Sequence, residues 1–262
     1  MLETPTSPWP EDFFDFAFVA AMDERLAQLA AIAESEDGWT YQHAPSEHPY
    51  PILFNYVRYT YHRVAEENKI ALSEDGQFSC FNTGLVTPNQ EPLYASFETN
   101  RKEGAQPWYF TDWYRRGEWE LNKFPELPDI AHYFEDPTCL VFDRRRDFRV
   151  NIEHIIADTP RERFPEPYRS MENYALQIVF KGAMDNAKER IKRNYKTAIP
   201  QYYRGQVQLL LPLCLSNPQR ADLALVVERH STFYRAATCL TLDMAYNNAR
   251  QIAKPDRDWL QP

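Results

Sequence analysis

Glycine is the scarcest resource in this chain: 7 residues in 262, against 20 prolines. So few glycines leave little material for a phosphate-cradling loop, and neither GxGxxG nor GxxxxGK[ST] occurs. Cysteine is sparse too. Cys80, Cys139, Cys214 and Cys239 are far apart in apolar or strand-like runs, with no CxxC and no Cys/His pairing at zinc spacing. They read as four buried free thiols in a reducing cytosol, and neither metal nor cofactor is expected. No apolar run approaches the ~20 residues of a membrane span. The opening MLETPTSPWPEDFF is acidic and lacks the apolar core of a signal peptide, so a cytoplasmic protein is expected. A GxSxG elbow is absent, and neither paired catalytic carboxylates nor a Ser–His–Asp arrangement is marked by a local signature.

What is present is aromatic and unevenly charged. Aromatics make up 15% of residues, and the net charge of −9 excludes a general nucleic-acid coat. The sign changes along the chain. Residues 1–70 carry 4 Lys and Arg against 12 Asp and Glu, residues 71–160 carry 9 against 16, and residues 161–262 carry 16 against 10. A +6 final third can form a face for anions, or can be cancelled on folding.

Along the chain, Pro10, Glu11 and Asp12 open a first helix, with Phe13, Ala17, Ala20, Leu26, Leu29 and Ile32 at roughly helical spacing. Glu34–Gly38 stops it. A second helix begins near Pro51, with Leu53, Tyr56, Val57, Thr60, Tyr61 and Val64 on one face. QFSCFNTGL (77–85), PLYASFET (92–99) and WYFTDWY (108–114) read as strands. Residues 138–142 and 148–152 read as a hairpin around Asp143–Asp147, and residues 158–168 as a loop. A long helix opens at Ser170 and becomes basic towards Lys196. Apolar strands follow at 207–215, 223–227 and 233–242, then a last helix from Asp243, its expected cap. The pattern predicts one α+β domain over residues 1–262, with N-terminal helices, one long central helix, a C-terminal helix and a mixed, largely antiparallel sheet. Residues 1–70 are a candidate helical subdomain.

Five segments occur together in order: CFNTGL (80–85), IPQYY (199–203), QLLLPLCL (208–215), ADLALVV (221–227) and LDMAYNNAR (242–250). In this set, from about Trp39 to Leu260, the chain resembles a bacterial family catalogued as domain of unknown function 3825. Members of that family are often fused to OST-HTH (LOTUS) RNA-binding domains, so the resemblance implies, by association, a role in RNA metabolism.

Four groups of residues can carry chemistry. In NYKTAIPQYYRG (194–205), Lys196 and Arg204 follow Arg193 and surround Gln201, Tyr202 and Tyr203. Cations suit phosphate and tyrosine faces suit bases, although a basic helix end also answers its own dipole. Asn82-Thr83-Gly84 marks a bend whose polar side chains bond either a ligand or their own backbone. His154 in NIEHII is a candidate acid/base for phosphoester or phosphoanhydride cleavage, with Arg149 or Arg163 holding phosphate. Tyr246, Asn247 and Arg250 share a face of the last helix with Asp243. The leading expectation is a nucleotide- or RNA-binding domain whose partner is a nucleotide or single-stranded RNA. A phosphoester-cleaving enzyme and a non-catalytic protein-interaction module are the alternatives; no membrane partner is expected, and homo-oligomerisation stays open.

Overall fold

The structure, a computed structural model, describes residues 7–36, 39–42, 44–255 and 259–260. The chain divides into two compact units, residues 1–41 with 45–132, and residues 42–44 with 133–262. Its class is α+β, with two five-stranded mixed sheets rather than one.

In the first unit, the expected opening helix is broken. Helix α1 covers Phe13–Phe16 and is capped by Asp12, whose carboxylate accepts from the Phe14 amide at 2.8 Å. Strand β1, Ala17–Phe18, then pairs in parallel with strand β5, Trp108–Arg115. Ala21 enters the left-handed region (φ 52°), and α2 runs Met22–Ile32. Helical spacing loses here because Phe13 and Phe16 anchor the chain among Tyr61 and Phe97, while Ala17 and Phe18 gain ladder bonds. Part of the expected stop, residues 37 and 38, lies outside the described residues.

Helix α3, Pro51–Glu66, starts on its proline and buries all six residues of the expected face. Strands β2 (Ala71–Leu72), β3 (Phe78–Val86) and β4 (Pro92–Thr99) complete the sheet, ordered β1-β5-β4-β3-β2.

The second unit contains β6 (Asp147–Arg149), α4 (Ile152–Asp158), α5 (Glu166–Arg169), α6 (Asn173–Arg193), β7 (Ile199–Tyr203), β8 (Gln206–Leu213), β9 (Leu223–Arg229), β10 (Phe233–Leu240) and α7 (Leu242–Arg250). Its sheet is ordered β6-β10-β9-β8-β7, with β6 parallel to β10 and the other pairs antiparallel. Strand alternation sorts the faces. Leu209, Leu211 and Leu213 pack in one core with Ile155, Leu176 and Phe180 of α4 and α6. Gln201 and Gln208, registered opposite each other, take the other face, where Asn248 of α7 reaches Gln201.

The expected 138–142/148–152 hairpin does not form. Pro137–Leu140 is a 3-10 turn, and Phe148 and Arg149 pair with Tyr234 and Arg235 instead. Tertiary contacts decide this: the Asp143 amide donates to the Tyr234 hydroxyl, and Arg146 reaches the carbonyls of His230 and Ser231. Asn151 then ends any strand by capping α4 through the His154 amide. The 158–168 loop also contains a 3-10 turn and the start of α5. Thr241, not Asp243, caps α7; its hydroxyl accepts from the Met244 amide. Asp243 lies buried in the first turn. No helix among the described residues is long and apolar enough to cross a membrane.

Candidate functional site

The basic end of α6 carries Lys188, Arg190, Lys192 and Arg193 in its last two turns. Cations there complement the carbonyl end of the helix. The helix stops at Asn194, whose side-chain oxygen accepts from the Lys196 amide at 3.0 Å and winds Tyr195–Thr197 into a 3-10 turn. Thr197 and Ala198 are buried, and the Thr197 carbonyl accepts from the Trp259 indole at 2.8 Å. That anchoring leaves the Tyr195 ring 65% exposed.

Beside this turn lies a cleft of about 210 Å³. Leu140 and Val141 form one wall, Tyr195, Lys196 and Pro200 another, and Ala249 with Lys254 the end beyond α7. The lining is largely apolar, with two lysine side chains among it. Cationic groups continue outward. Arg144 donates to the Lys192 carbonyl at 3.0 Å, tying the 143–147 turn to the end of α6. Arg145 pairs with Asp143 and, by that hydrogen bond first and its charge after, holds the Asp143 carboxyl below its usual range. Residues 133–262 carry 20 Lys and Arg against 16 Asp and Glu, a net +4, whereas residues 1–132 carry 9 against 22, a net −13.

The expected site residues separate into lining and packing groups. Lys196 lines the cleft, and Arg193 is exposed one turn upstream. Tyr203 is 45% exposed, with the Arg204 guanidinium 5.2 Å from its ring centre. Gln201 and Tyr202 turn inward instead. Gln201 donates to Gln208 at 2.8 Å and accepts from Asn248 at 3.1 Å. Tyr202 is buried, 4.8 Å from the Tyr133 ring, and its carbonyl accepts from Gln251. Tyr246 and Arg250 are buried in α7, and Asn247 is half-buried.

The expected cleavage residues lie elsewhere in the same unit. His154 is an exposed α4 side chain paired with Asp158 at 3.1 Å, outside the lining of this cleft. Arg149 pairs with Asp147 and lies 3.8 Å over the Phe233 ring. Arg163 donates to the Cys239 carbonyl at 2.9 Å, a bond that ties its 3-10 turn to β10.

Asn82, Thr83 and Gly84 belong to the first unit, at a register shift between β3 and β4. Thr83 donates to the Leu93 carbonyl and accepts from the Leu85 amide, while Asn82 accepts from the Gly84 amide. The bend is therefore held by its own polar side chains. Asn82 also lines a polar cleft of about 390 Å³ with Tyr94, Arg116, Glu126 and Asp129. Neither these four nor Tyr195 and Lys254 stood out in the sequence. Tyr195 sits inside NYKTAIPQYYRG, where its helix-exit position was the available signal, whereas nothing local marks the others.

No curated protein and no solved structure matches the chain at a significant level. A family model described as Domain of unknown function (DUF3825) matches residues 29–259, a span that holds the NTG bend, β7 through β9, and α7. With nearly the whole chain matched, the protein belongs to the DUF3825 family.

Proposed function

We propose that the second unit binds a nucleotide or a short single-stranded RNA at the cleft beside Tyr195–Pro200. One observation carries this reading: an exposed tyrosine ring and two lysines line the same small, otherwise apolar cleft. A base stacked on an aromatic face gains about 1–3 kcal/mol, and cations nearby neutralise phosphate. The volume suits a single base or phosphate rather than a folded RNA, since pockets for whole drug-sized ligands span about 300–1,000 Å³. Arg144 and Arg193 add positive charge beyond the cleft, while Arg145 and Lys192 are paired with Asp143 and Glu189.

Fluorescence anisotropy with a labelled short single-stranded RNA, and competition by mononucleotides, tests the reading. Binding is expected to weaken as salt rises, to weaken about tenfold in Tyr195→Ala from the lost stacking, and to weaken in Lys196→Ala with a shallower salt dependence from the lost cation. No binding at low salt, or variants that bind as tightly as the unmodified protein, overturns it. His154→Ala is expected to leave binding unchanged, because His154 is outside the cleft lining.

A further inference from the structure

The first unit has a cleft of different chemistry, about 390 Å³ in volume and polar at its floor. Asn82 and Tyr94, both more than nine-tenths buried, lie opposite each other on β3 and β4 and line it. Three charges surround them: Arg116 just after β5, and Glu126 and Asp129 in the segment after the 3-10 turn Trp119–Lys123. No ion pair joins Arg116 to either carboxylate, although all three line one cleft. Burial raises the Tyr94 hydroxyl above its ordinary value; the Arg116 charge opposes that shift and the Asp129 charge adds to it. Both charges thus act at the polar floor.

Opposite charges held around a roomy cleft without closing on each other leave space for a ligand that bridges them. Two carboxylates and one guanidinium call for two cationic groups and one carboxylate on that ligand. The surrounding unit, at net −13, favours an overall cationic guest and disfavours a free phosphate. The volume lies near the lower end for small-molecule pockets, so the guest is compact.

We infer that this cleft binds a free dibasic amino acid, its carboxylate at Arg116 and its two cationic groups at Glu126 and Asp129, over the Tyr94 hydroxyl; Asn82, bonded to the Gly84 amide and the Pro128 carbonyl, walls the cleft. The site is independent of the RNA reading, since it belongs to the other unit and takes a ligand of the opposite charge.

Isothermal titration of the full chain tests this with three probes: L-arginine, agmatine, which lacks the carboxylate, and N-acetylarginine, which lacks the ammonium. Arginine is expected to bind saturably, and each analogue to bind about tenfold more weakly or worse, as befits loss of a charge-assisted contact. Arg116→Gln should bring arginine down to the level of agmatine, and Asp129→Asn should weaken all cationic probes. Both residues are exposed, so folding should persist, and thermal unfolding verifies it. Tyr94→Phe supplies a variant that keeps the ring in the core and removes only the hydroxyl; it should weaken arginine severalfold. No saturable arginine binding at millimolar concentration overturns the inference, as do analogues equal to arginine or an Asp129→Asn variant with unchanged affinity.

Discussion

Gly84 shows how much one residue can be asked to do. It sits at φ +72° between Thr83, which bonds β4, and Leu85, whose amide Thr83 also satisfies. A Cβ at this position would stand 2.7 Å from the Tyr56 hydroxyl. Tyr56 is itself core, 5% exposed on α3, so it has little room to retreat. Gly84→Ala is expected to destabilise the protein by about 1–2 kcal/mol from the backbone alone, with the Tyr56 clash added. Urea unfolding measures the loss. Repeating the substitution in a Tyr56→Phe background should recover the clash part and leave the backbone part; no recovery would mean that Tyr56 shifts without cost. The sequence marked this bend, but the bonds that hold it needed the register of β3 against β4, because only that places the Leu93 carbonyl within reach of Thr83.

At the scale of elements, β7 and α7 explain each other. Pro200 lacks an amide donor, which suits a strand at the edge of its sheet. Gln201 points to the face that α7 covers and joins buried Gln208 and half-buried Asn248 in a chain of amides. Removing the middle member strands both neighbours, at a cost of about 1–3 kcal/mol for each buried polar group left unsatisfied. Gln201→Ala should therefore lower the urea midpoint markedly, and amide exchange in β7 and α7 should quicken first. If the midpoint stays put, the two neighbours have found other partners. Tyr203, two residues on and exposed, should tolerate the same change. This division within IPQYY was hidden in the sequence, where a helix end and a strand compete for the same five residues. Gln201 and Tyr203 share a face of β7, and place along the strand separates them: Gln201 registers with Gln208 and bonds Asn248 of α7, whereas Tyr203 registers with Gln206 at the turn. The apolar strands after the long basic helix were plainer, since composition and length agree there, whereas on the helix Tyr174 and Ile178 are exposed and Leu176 and Phe180 are buried.

For the whole molecule, burial of ionisable groups sets an alkaline limit. Burial pushes the Cys80 thiol from 9.0 up to about 12, with Lys123 opposing, and raises Cys239 and Tyr61 as well. In the unfolded chain the thiols lose protons near pH 9, while the folded chain holds them. The unfolded state thus binds fewer protons above that pH, and stability falls as pH rises through the window from 9 to 12. Urea midpoints measured at about pH 8 and about pH 10 should differ, the second being lower, and Cys80→Ala should reduce the difference after its own packing loss is subtracted. Equal midpoints would show that these thiols ionise without unfolding. The charge asymmetry acts at the same scale: a net −13 over residues 1–132 and +4 over 133–262 mean that ligands of opposite sign are drawn to different parts of the chain.

By itself the sequence determined the α+β class, the buried face of α3, the existence of the long basic helix, the apolar strands β8 to β10, and the uneven charge. Each is written in local periodicity or in composition, which need no partner to be read. Tertiary structure decided the break after α1, the parallel pairing of β6 with β10, the inward turn of Gln201 and Tyr202, and the clefts. Those depend on residues far apart in the chain: Phe16 against Tyr61, Asp143 against Tyr234, Gln201 against Asn248, and Lys196 beside Lys254. A local pattern states what a segment can form; the contacts it makes decide which alternative has the lower free energy.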